Sequence, residues 1–493
     1  PAAPRPREAR LSSGEGGDGG ERLFGTDGIR ARFGEPPLDS ATVTALAAQL
    51  AALLGERRER RLASPASQPN QADPPQVVLG GDTRESTAEI CGWLAAGLVR
   101  GGAAVRYAGV IPTPGVAFLA AELGMDAGVV VSASHNPYPD NGIKLLDEKG
   151  FKWTEAAEKE LEDRLRAAGP GSPAGPGSAP PEPDAGLRER YLRHLVATVA
   201  PGAPAAGQGR ELPLAGLRVV LDAGHGAASG YAGELFERLG AEVTLLCAAP
   251  DGRNVNLGCG STAPAVAAAA VVAAGAHLGA AFDGDADRCI LVDERGEVRD
   301  GDAILYLWAT SLLEEGRLVP PAVVATSMSN LGLERALARS GIAVVRCGVG
   351  DRLVVETMRR DGILLGGEQS GHIVRLDLAA TGDGLLTAVQ MAALVHRAGR
   401  PLSELLAGFR RYPQTLINVR VARKPDLATL PRVAAAAREV EDRLGADGRL
   451  VLRYSGTEPL ARVMIEGPDQ DTIETMAGSL AAIIGDELGL PAG

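Results

Sequence analysis

Ser132 and Ser134 stand in the run Val131-Ser132-Ala133-Ser134-His135-Asn136-Pro137, directly after the apolar stretch Ala127 to Val131. That stretch reads as a buried strand. A hydroxyl released at the end of a buried strand is fixed by the sheet and exposed by the loop, so both serines are candidate nucleophiles. A serine-rich turn after a core strand would look the same. His135 could abstract a proton there or simply orient the loop. A second strand-end loop holds Asp283, Asp285 and Asp287 after the apolar run Leu278 to Phe282. Alternate positions of an extended segment point to one side. Three carboxylates held together repel one another, which a divalent cation would offset. Oxygen-only ligands suit Mg²⁺ better than zinc, and the spacing is not that of an EF-hand.

Two further loops add phosphate and sugar chemistry. Gly366-Gly367-Glu368-Gln369-Ser370-Gly371-His372 offers Glu368 and Ser370 to sugar hydroxyls. His372 could donate to a phosphate or cap local backbone. Arg453-Tyr454-Ser455-Gly456-Thr457-Glu458-Pro459 joins a tight turn at Gly456 to the hydroxyls of Ser455 and Thr457. Arg453 and Arg462 could clamp phosphate oxygens, so the loop is an anion nest in type. No GxxxxGK[ST] motif occurs, which argues against an ATPase or kinase. Together the four loops imply a phosphorylated sugar or polyol, Mg²⁺ and a serine nucleophile. An unaided serine is weak and needs a metal, a base or prior phosphorylation. Arg30 and Lys144 are candidates to steer protons or charge around a transferring phosphoryl group.

The elements that must hold these loops alternate between strand and helix. Helices are expected over 40–54, 87–100 and 115–123, with strands at Val77 to Leu79, Ala103 to Tyr107, Ala127 to Val131 and Ile143 to Leu146. Leu23 to Arg30 reads as a tight loop, 57–75 as a surface excursion and 169–186 as a flexible Gly/Pro/Ser/Ala-rich linker. The same rhythm recurs from 217 to 282 and again from 289 to 398, which suggests a three-fold structural repeat. The remainder reads as a smaller α+β unit. The expected architecture is therefore α/β: three related mixed α/β domains and a smaller C-terminal α+β domain around a central cleft. The expected divisions are a disordered segment 1–20, then 21–185, 187–282 ending at the aspartate loop, 283–408 and 409–493.

A chain of 493 residues exceeds one ordinary core and accommodates three or four domains. A net charge of -12 disfavours nucleic acid as a partner. No apolar run reaches spanning length, so no membrane association is expected. The 5 cysteines are scattered, with neither a disulfide framework nor a zinc signature, which suits a reducing cytoplasm.

With the four motifs in this order, the chain resembles the α-D-phosphohexomutases over about residues 21–488. Leu23 to Arg30, Asn254-Val255-Asn256 followed by Cys259-Gly260-Ser261-Thr262, and Gln369 resemble the branch that acts on glucosamine phosphates. The resemblance selects Ser134 over Ser132 as a phosphoserine, holding Mg²⁺ with Asp283, Asp285 and Asp287. It implies reversible conversion of glucosamine 6-phosphate to glucosamine 1-phosphate. A 1,6-bisphosphate of glucose or glucosamine would be the intermediate and activator, and the product would feed amino-sugar nucleotide and cell-wall synthesis. Arg30, Lys144 and His135 would assist at the nucleophile. Glu368, Ser370 and His372 would hold the sugar, and Arg453, Ser455, Gly456, Thr457 and Arg462 the distal phosphate. A homodimer is a further family expectation. A phosphoglucomutase or phosphomannomutase with the same machinery is the nearest alternative, ahead of a catalytically lost sugar-phosphate binder or a phosphatase. Ala31 and Ala286 stand where glycines are common, Ala263 where histidine is frequent, and Tyr454 where lysine is common in the glucosamine branch.

Overall fold

The computed structural model describes residues 22–62, 73–169, 171–175, 178–200, 212–455 and 459–489. The expected disorder of 1–20 and the turn residues Gly456 and Thr457 lie outside these residues.

The first domain comprises β1 (Ile29–Arg32), α1 (Ser40–Leu62), β2 (Gln76–Gly81), α2 (Thr87–Arg100), β3 (Ala104–Val110), α3 (Thr113–Glu122), β4 (Ala127–Val131), β5 (Asp140–Leu146) and α4 (Glu155–Ala168). Its sheet order is β1-β5-β4-β2-β3. β4 is Ala-Gly-Val-Val-Val with every residue buried, held between parallel β2 and antiparallel β5. Its β-branched residues suit a strand enclosed on both faces. Arg30 sits on a strand, paired opposite Gly142, and not in the expected tight loop. α1 continues through residues 57–62, the first part of the expected excursion.

The second domain has α5 (Ala185–Ala197), β6 (Arg218–Asp222), α6 (Ala232–Arg238), β7 (Glu242–Leu246), α7 (Ala265–Ala274), β8 (Leu278–Phe282), β9 (Cys289–Asp293) and β10 (Val298–Arg299), in sheet order β10-β9-β8-β6-β7. The expected boundary at 282/283 is corrected here. β8 and β9 are antiparallel neighbours, with Phe282 opposite Cys289, so the aspartate loop is a hairpin connection inside one sheet. The described residues of the 169–186 segment form no helix or strand before α5, and its end is anchored. Asp184 receives a 2.5 Å bond from Arg106, and the Asp184 N–H donates to the Tyr107 carbonyl at 2.8 Å.

The third domain has α8 (Gly301–Glu314), β11 (Ala322–Thr326), α9 (Leu331–Arg339), β12 (Ala343–Cys347), α10 (Asp351–Asp361), β13 (Leu365–Gly367), β14 (Ile373–Arg375), α11 (Gly384–Ala398) and the short α12 (Leu402–Leu405), in sheet order β12-β11-β13-β14. All three sheets therefore share one topology. Three parallel strands are followed by an antiparallel fourth beside the third: β3-β2-β4-β5, β7-β6-β8-β9 and β12-β11-β13-β14. The third strands, β4, β8 and β13, are equivalent. The loops that leave them carry Ser134, the three aspartates and Glu368.

One apolar core runs through all three domains, from Val130 and Ile111 through Phe282 to Val389 on α11. The last domain has its own core. It is built from β15 (Gln414–Arg420), α13 (Pro431–Leu444), β16 (Arg449–Tyr454), β17 (Leu460–Glu466) and α14 (Gln470–Leu488), with β17 central in an antiparallel sheet. Glu466, fully buried, ties it to the third domain. It pairs with Arg449 at 2.6 Å and accepts from Asn330 Nδ2 at 3.0 Å and the Leu331 N–H at 3.2 Å.

Candidate active site

Ser134 follows β4 with φ +52, a left-handed conformation that costs a non-glycine residue about 1–2 kcal/mol. Several bonds hold it there. The Ser134 N–H donates to Ser132 Oγ at 2.8 Å, and Ser132 Oγ donates to Asp82 Oδ2 at 2.6 Å. Arg84, fully enclosed and paired with Asp82 at 3.1 Å, donates to the Ser134 and Asn136 carbonyls, each at 2.9 Å. Asn256 Nδ2 adds a 2.9 Å bond to the Ser134 carbonyl. Ser132 thus spends its hydroxyl on the loop. The Ser134 hydroxyl points at Asp283 Oδ2, 2.6 Å away. His135 is exposed, with Nδ1 3.3 Å from the Ser134 oxygen.

The three aspartates converge through a turn and not through an extended segment. The Ala286 N–H donates to the Asp283 carbonyl at 3.0 Å, with Ala286 at φ +53. A glycine would adopt that angle without strain. All three carboxylates are buried, and an oxygen of each lies within 4.8 Å of the others. Asp283 Oδ1 accepts from the Arg288 N–H at 3.1 Å. Asp285 Oδ2 accepts from Thr113 Oγ1 at 2.5 Å and Lys144 Nζ at 2.8 Å. Asp285 Oδ1 and Asp287 Oδ1 are buried with no hydrogen-bond partner among the described residues. Orphaned carboxylate oxygens cost free energy unless a cation takes them. The donor set therefore fits a divalent metal with oxygen preference. Burial, then the charges of Asp287 and Asp285, push the Asp283 carboxyl well above the usual range. Burial also raises Asp287, but the Lys144 charge and the His372 ring N–H directed at it outweigh that and hold the carboxyl well below.

Lys144 on β5 is 1% exposed and sits 3.4 Å from both Asp287 and Asp27. Burial disfavours its charge, but Asp27, Asp285 and Asp287 outweigh that and raise its pKa. Asp27 also receives Arg30 NH2 at 2.5 Å and an ion pair from Lys152, which itself reaches Asp351. Arg30 NH1 donates to the Ser132 carbonyl at 3.1 Å.

Glu368 leaves β13 half-buried, accepting from the Gly350 N–H at 3.0 Å and Ser370 Oγ at 3.2 Å. The expected sugar-loop residue His372 is turned into the protein. It is 2% exposed, its Nε2 accepts from the Gly382 N–H at 3.1 Å, and its Nδ1 faces Asp287 at 3.6 Å. An acceptor Nε2 requires the ring proton on Nδ1, toward the carboxylate. Residues of the first three domains thus meet in one polar cluster. In the last domain, Arg453 and Arg462 are cross-strand partners, and Ser455 Oγ accepts from Arg462 NH2 at 3.5 Å. Burial and Arg462 lower the Arg453 pKa, a repulsion that a bound anion would relieve. Sequence reasoning had no role for Asp27, Arg84, Thr113, Lys152, Asp351 or Arg288. Of these, Arg84 and Asp351 lay in Gly/Asp/Arg loops whose composition was the only signal.

The family models for phosphoglucomutase/phosphomannomutase match in order: α/β/α domain I at residues 21–170, domain II at 189–296, domain III at 300–412 and the C-terminal domain at 416–483. The chain is 45% identical over 470 residues to a phosphoglucosamine mutase of Solibacter usitatus, covering 95% of this chain and 99% of that protein. It is 43% identical over 482 residues to a phosphoglucosamine mutase of Myxococcus xanthus, covering 97% and 98%. A phosphoglucomutase/phosphomannomutase family protein from Burkholderia thailandensis shares the fold with a TM-score of 0.73 at 24% identity, covering 94% of this chain and 97% of that one. An N-acetylphosphoglucosamine mutase from Aspergillus fumigatus, solved with GlcNAc-6P and magnesium, aligns with a TM-score of 0.59 at 18% identity, covering 94% and 95%. With all four domain models matched in order and relatives this similar along nearly the whole length, the chain belongs to the phosphoglucomutase/phosphomannomutase family of α-D-phosphohexomutases.

Proposed function

We propose that this chain is a reversible phosphomutase that interconverts glucosamine 6-phosphate and glucosamine 1-phosphate, with Ser134 as the phosphate carrier. The observation that carries the reading is the Ser134 hydroxyl, 2.6 Å from Asp283 in a carboxylate triplet with two orphaned oxygens. Similarity of 43–45% to proteins named phosphoglucosamine mutase selects the amino sugar. Asp283, Asp285 and Asp287 would hold Mg²⁺, which when bound neutralises charge on the transferring phosphoryl group.

The chain's own groups do the rest. With Ser134 phosphorylated, the Oγ–P bond breaks as a sugar hydroxyl forms the new O–P bond, and the hydroxyl proton passes to the departing Ser134 oxygen, which becomes a free hydroxyl. The product of this half-reaction is a 1,6-bisphosphate. It turns round in the cleft and returns its other phosphate to Ser134. Lys144 and Arg30 stabilise the charge beside the carrier, and Arg84 and Ser132 keep the carrier oxygen on line. Glu368 and Ser370 hold sugar hydroxyls. Arg453, Arg462 and Ser455, with Gly456 and Thr457, hold the phosphate that is not reacting. The five cysteines are free thiols, which suits a cytoplasmic setting. Among the described residues no helix is long and apolar enough to cross a membrane.

The test compares kcat/KM on glucosamine, glucose and mannose phosphates, with the Ser134 phosphate occupancy measured by intact mass. Glucosamine phosphate should be preferred, and Ser134→Ala should abolish turnover while the protein stays folded. A preference for glucose or mannose phosphate refutes the substrate, and near-normal Ser134→Ala turnover refutes the carrier.

A further inference from the structure

The ends of β6 and β7 carry a cluster that phosphoryl transfer does not use. His225, Cys247 and Cys259 each offer a ligand atom, and the three atoms lie within 4.8 Å of one another. Cys247 directly follows β7, His225 lies just beyond β6, and Cys259 is 2% exposed in the connection to α7. His225 Nδ1 is buried with no hydrogen-bond partner among the described residues. The backbone is bent to bring these groups together. His225 and Cys247 both adopt left-handed angles, φ +51 and +48, and the His225 N–H donates to the Cys247 carbonyl at 2.6 Å. Such angles in non-glycine residues persist where surrounding structure enforces them, and they gather at ligand sites. Buried Asp222 stands beside the Cys247 thiol, its carboxylate fixed by the Gly224 and Gly260 N–H groups at 2.9 Å each. Its charge favours a cation in this corner.

We propose that His225, Cys247 and Cys259 form a soft-metal site that takes a zinc-class divalent ion and braces the loop bearing Ser134. Two thiolates and an imidazole select such an ion over Mg²⁺, and three protein ligands leave a fourth position for water. Binding releases the thiol protons. The path to the carrier loop is short. The Gly224 carbonyl accepts the Asn256 N–H at 2.8 Å, and Asn256 holds the Ser134 carbonyl. From the other side, Thr83 Oγ1 donates to the His225 carbonyl at 2.6 Å, next to Arg84.

The test uses the full chain, kept reduced with a phosphine and held in excess Mg²⁺ so that the aspartates are occupied. Co²⁺ should bind at one equivalent with a thiolate-to-metal charge-transfer band, and Zn²⁺ should displace it. Cys247→Ser and Cys259→Ser should each weaken binding at least tenfold. Unmutated protein gives a second readout. One equivalent of Zn²⁺ should protect Cys247 from a maleimide, and amide exchange at residues 132–136 should slow. Absence of the band, or its persistence in the double variant, overturns the site, as does unprotected Cys247. Unchanged exchange at 132–136 overturns the link to the Ser134 loop.

Discussion

Lys144→Met asks whether the buried lysine is a counter-ion that Mg²⁺ can replace. Its ammonium lies 2.8 Å from Asp285 and 3.4 Å from both Asp287 and Asp27, at 1% exposure. Methionine keeps much of the length and removes the charge. Taking one partner from a buried ion pair costs about 3–5 kcal/mol, because the other charges stay buried and uncompensated. That is the expected loss in a chelator. Mg²⁺ changes the balance, since Lys144 occupies Asp285 Oδ2, an oxygen a metal could use. The variant should therefore bind Mg²⁺ more tightly than the parent. At saturating metal the penalty shrinks by RT ln of the ratio of the two affinities, so a fall by half, about 2 kcal/mol, corresponds to about 30-fold tighter Mg²⁺ binding by the variant. Urea unfolding followed by tryptophan emission, with chelator and with Mg²⁺, measures both quantities. A penalty equal in the two buffers would refute the reasoning, because the lysine and the metal would then not share a role. So would a loss below about 1 kcal/mol in chelator, which would mean that the aspartates need no counter-ion.

Ser132→Ala removes both the acceptor for the Ser134 N–H and the donor to Asp82. It should cost about 1–3 kcal/mol and lower the Ser134 phosphate occupancy reached with a bisphosphate, read by intact mass. Gly301→Ala would drive a methyl to 2.0 Å from the Glu368 carbonyl oxygen. The KM for sugar phosphate should rise tenfold or more while Mg²⁺ affinity holds, and kinetics with metal titration checks the split. Burial, then Asp300, raises the Asp302 carboxyl to about 7. The folded chain then keeps a proton that the unfolded chain releases, so stability falls as pH rises from about 4 to 7, by about 4 kcal/mol in all. Asp302→Asn should flatten that part of the stability–pH curve measured by denaturant melts.

The strand-end loops were legible because each follows a run of small or β-branched apolar residues and then turns abruptly polar, as at Val131-Ser132 and Phe282-Asp283. The border drawn at 282/283 failed for a reason the sequence did contain. Only residues 283–288 join β8 to β9. A parallel crossover needs a dozen residues or more, so the two strands had to be antiparallel neighbours in one sheet. The ion partners were not legible. Asp27 meets Lys152 across 125 residues and Lys152 meets Asp351 across 199, with no local pattern to announce either. The partners of His372 were not legible either, since the Gly382 N–H and Asp287 that enclose its ring lie outside its own loop.

The buried tie from Glu466 to Asn330 and Leu331 has a mechanical consequence. It is a fulcrum at one end of the β16–β17 ladder, and the Arg453–Arg462 pair lies four residues further along. At about 3.3 Å per residue this is a lever arm of about 13 Å. A tilt of about 10° would carry the two guanidinium groups about 2 Å, the difference between a hydrogen bond and none. The last domain could therefore seize and release a phosphate without unmaking its own attachment.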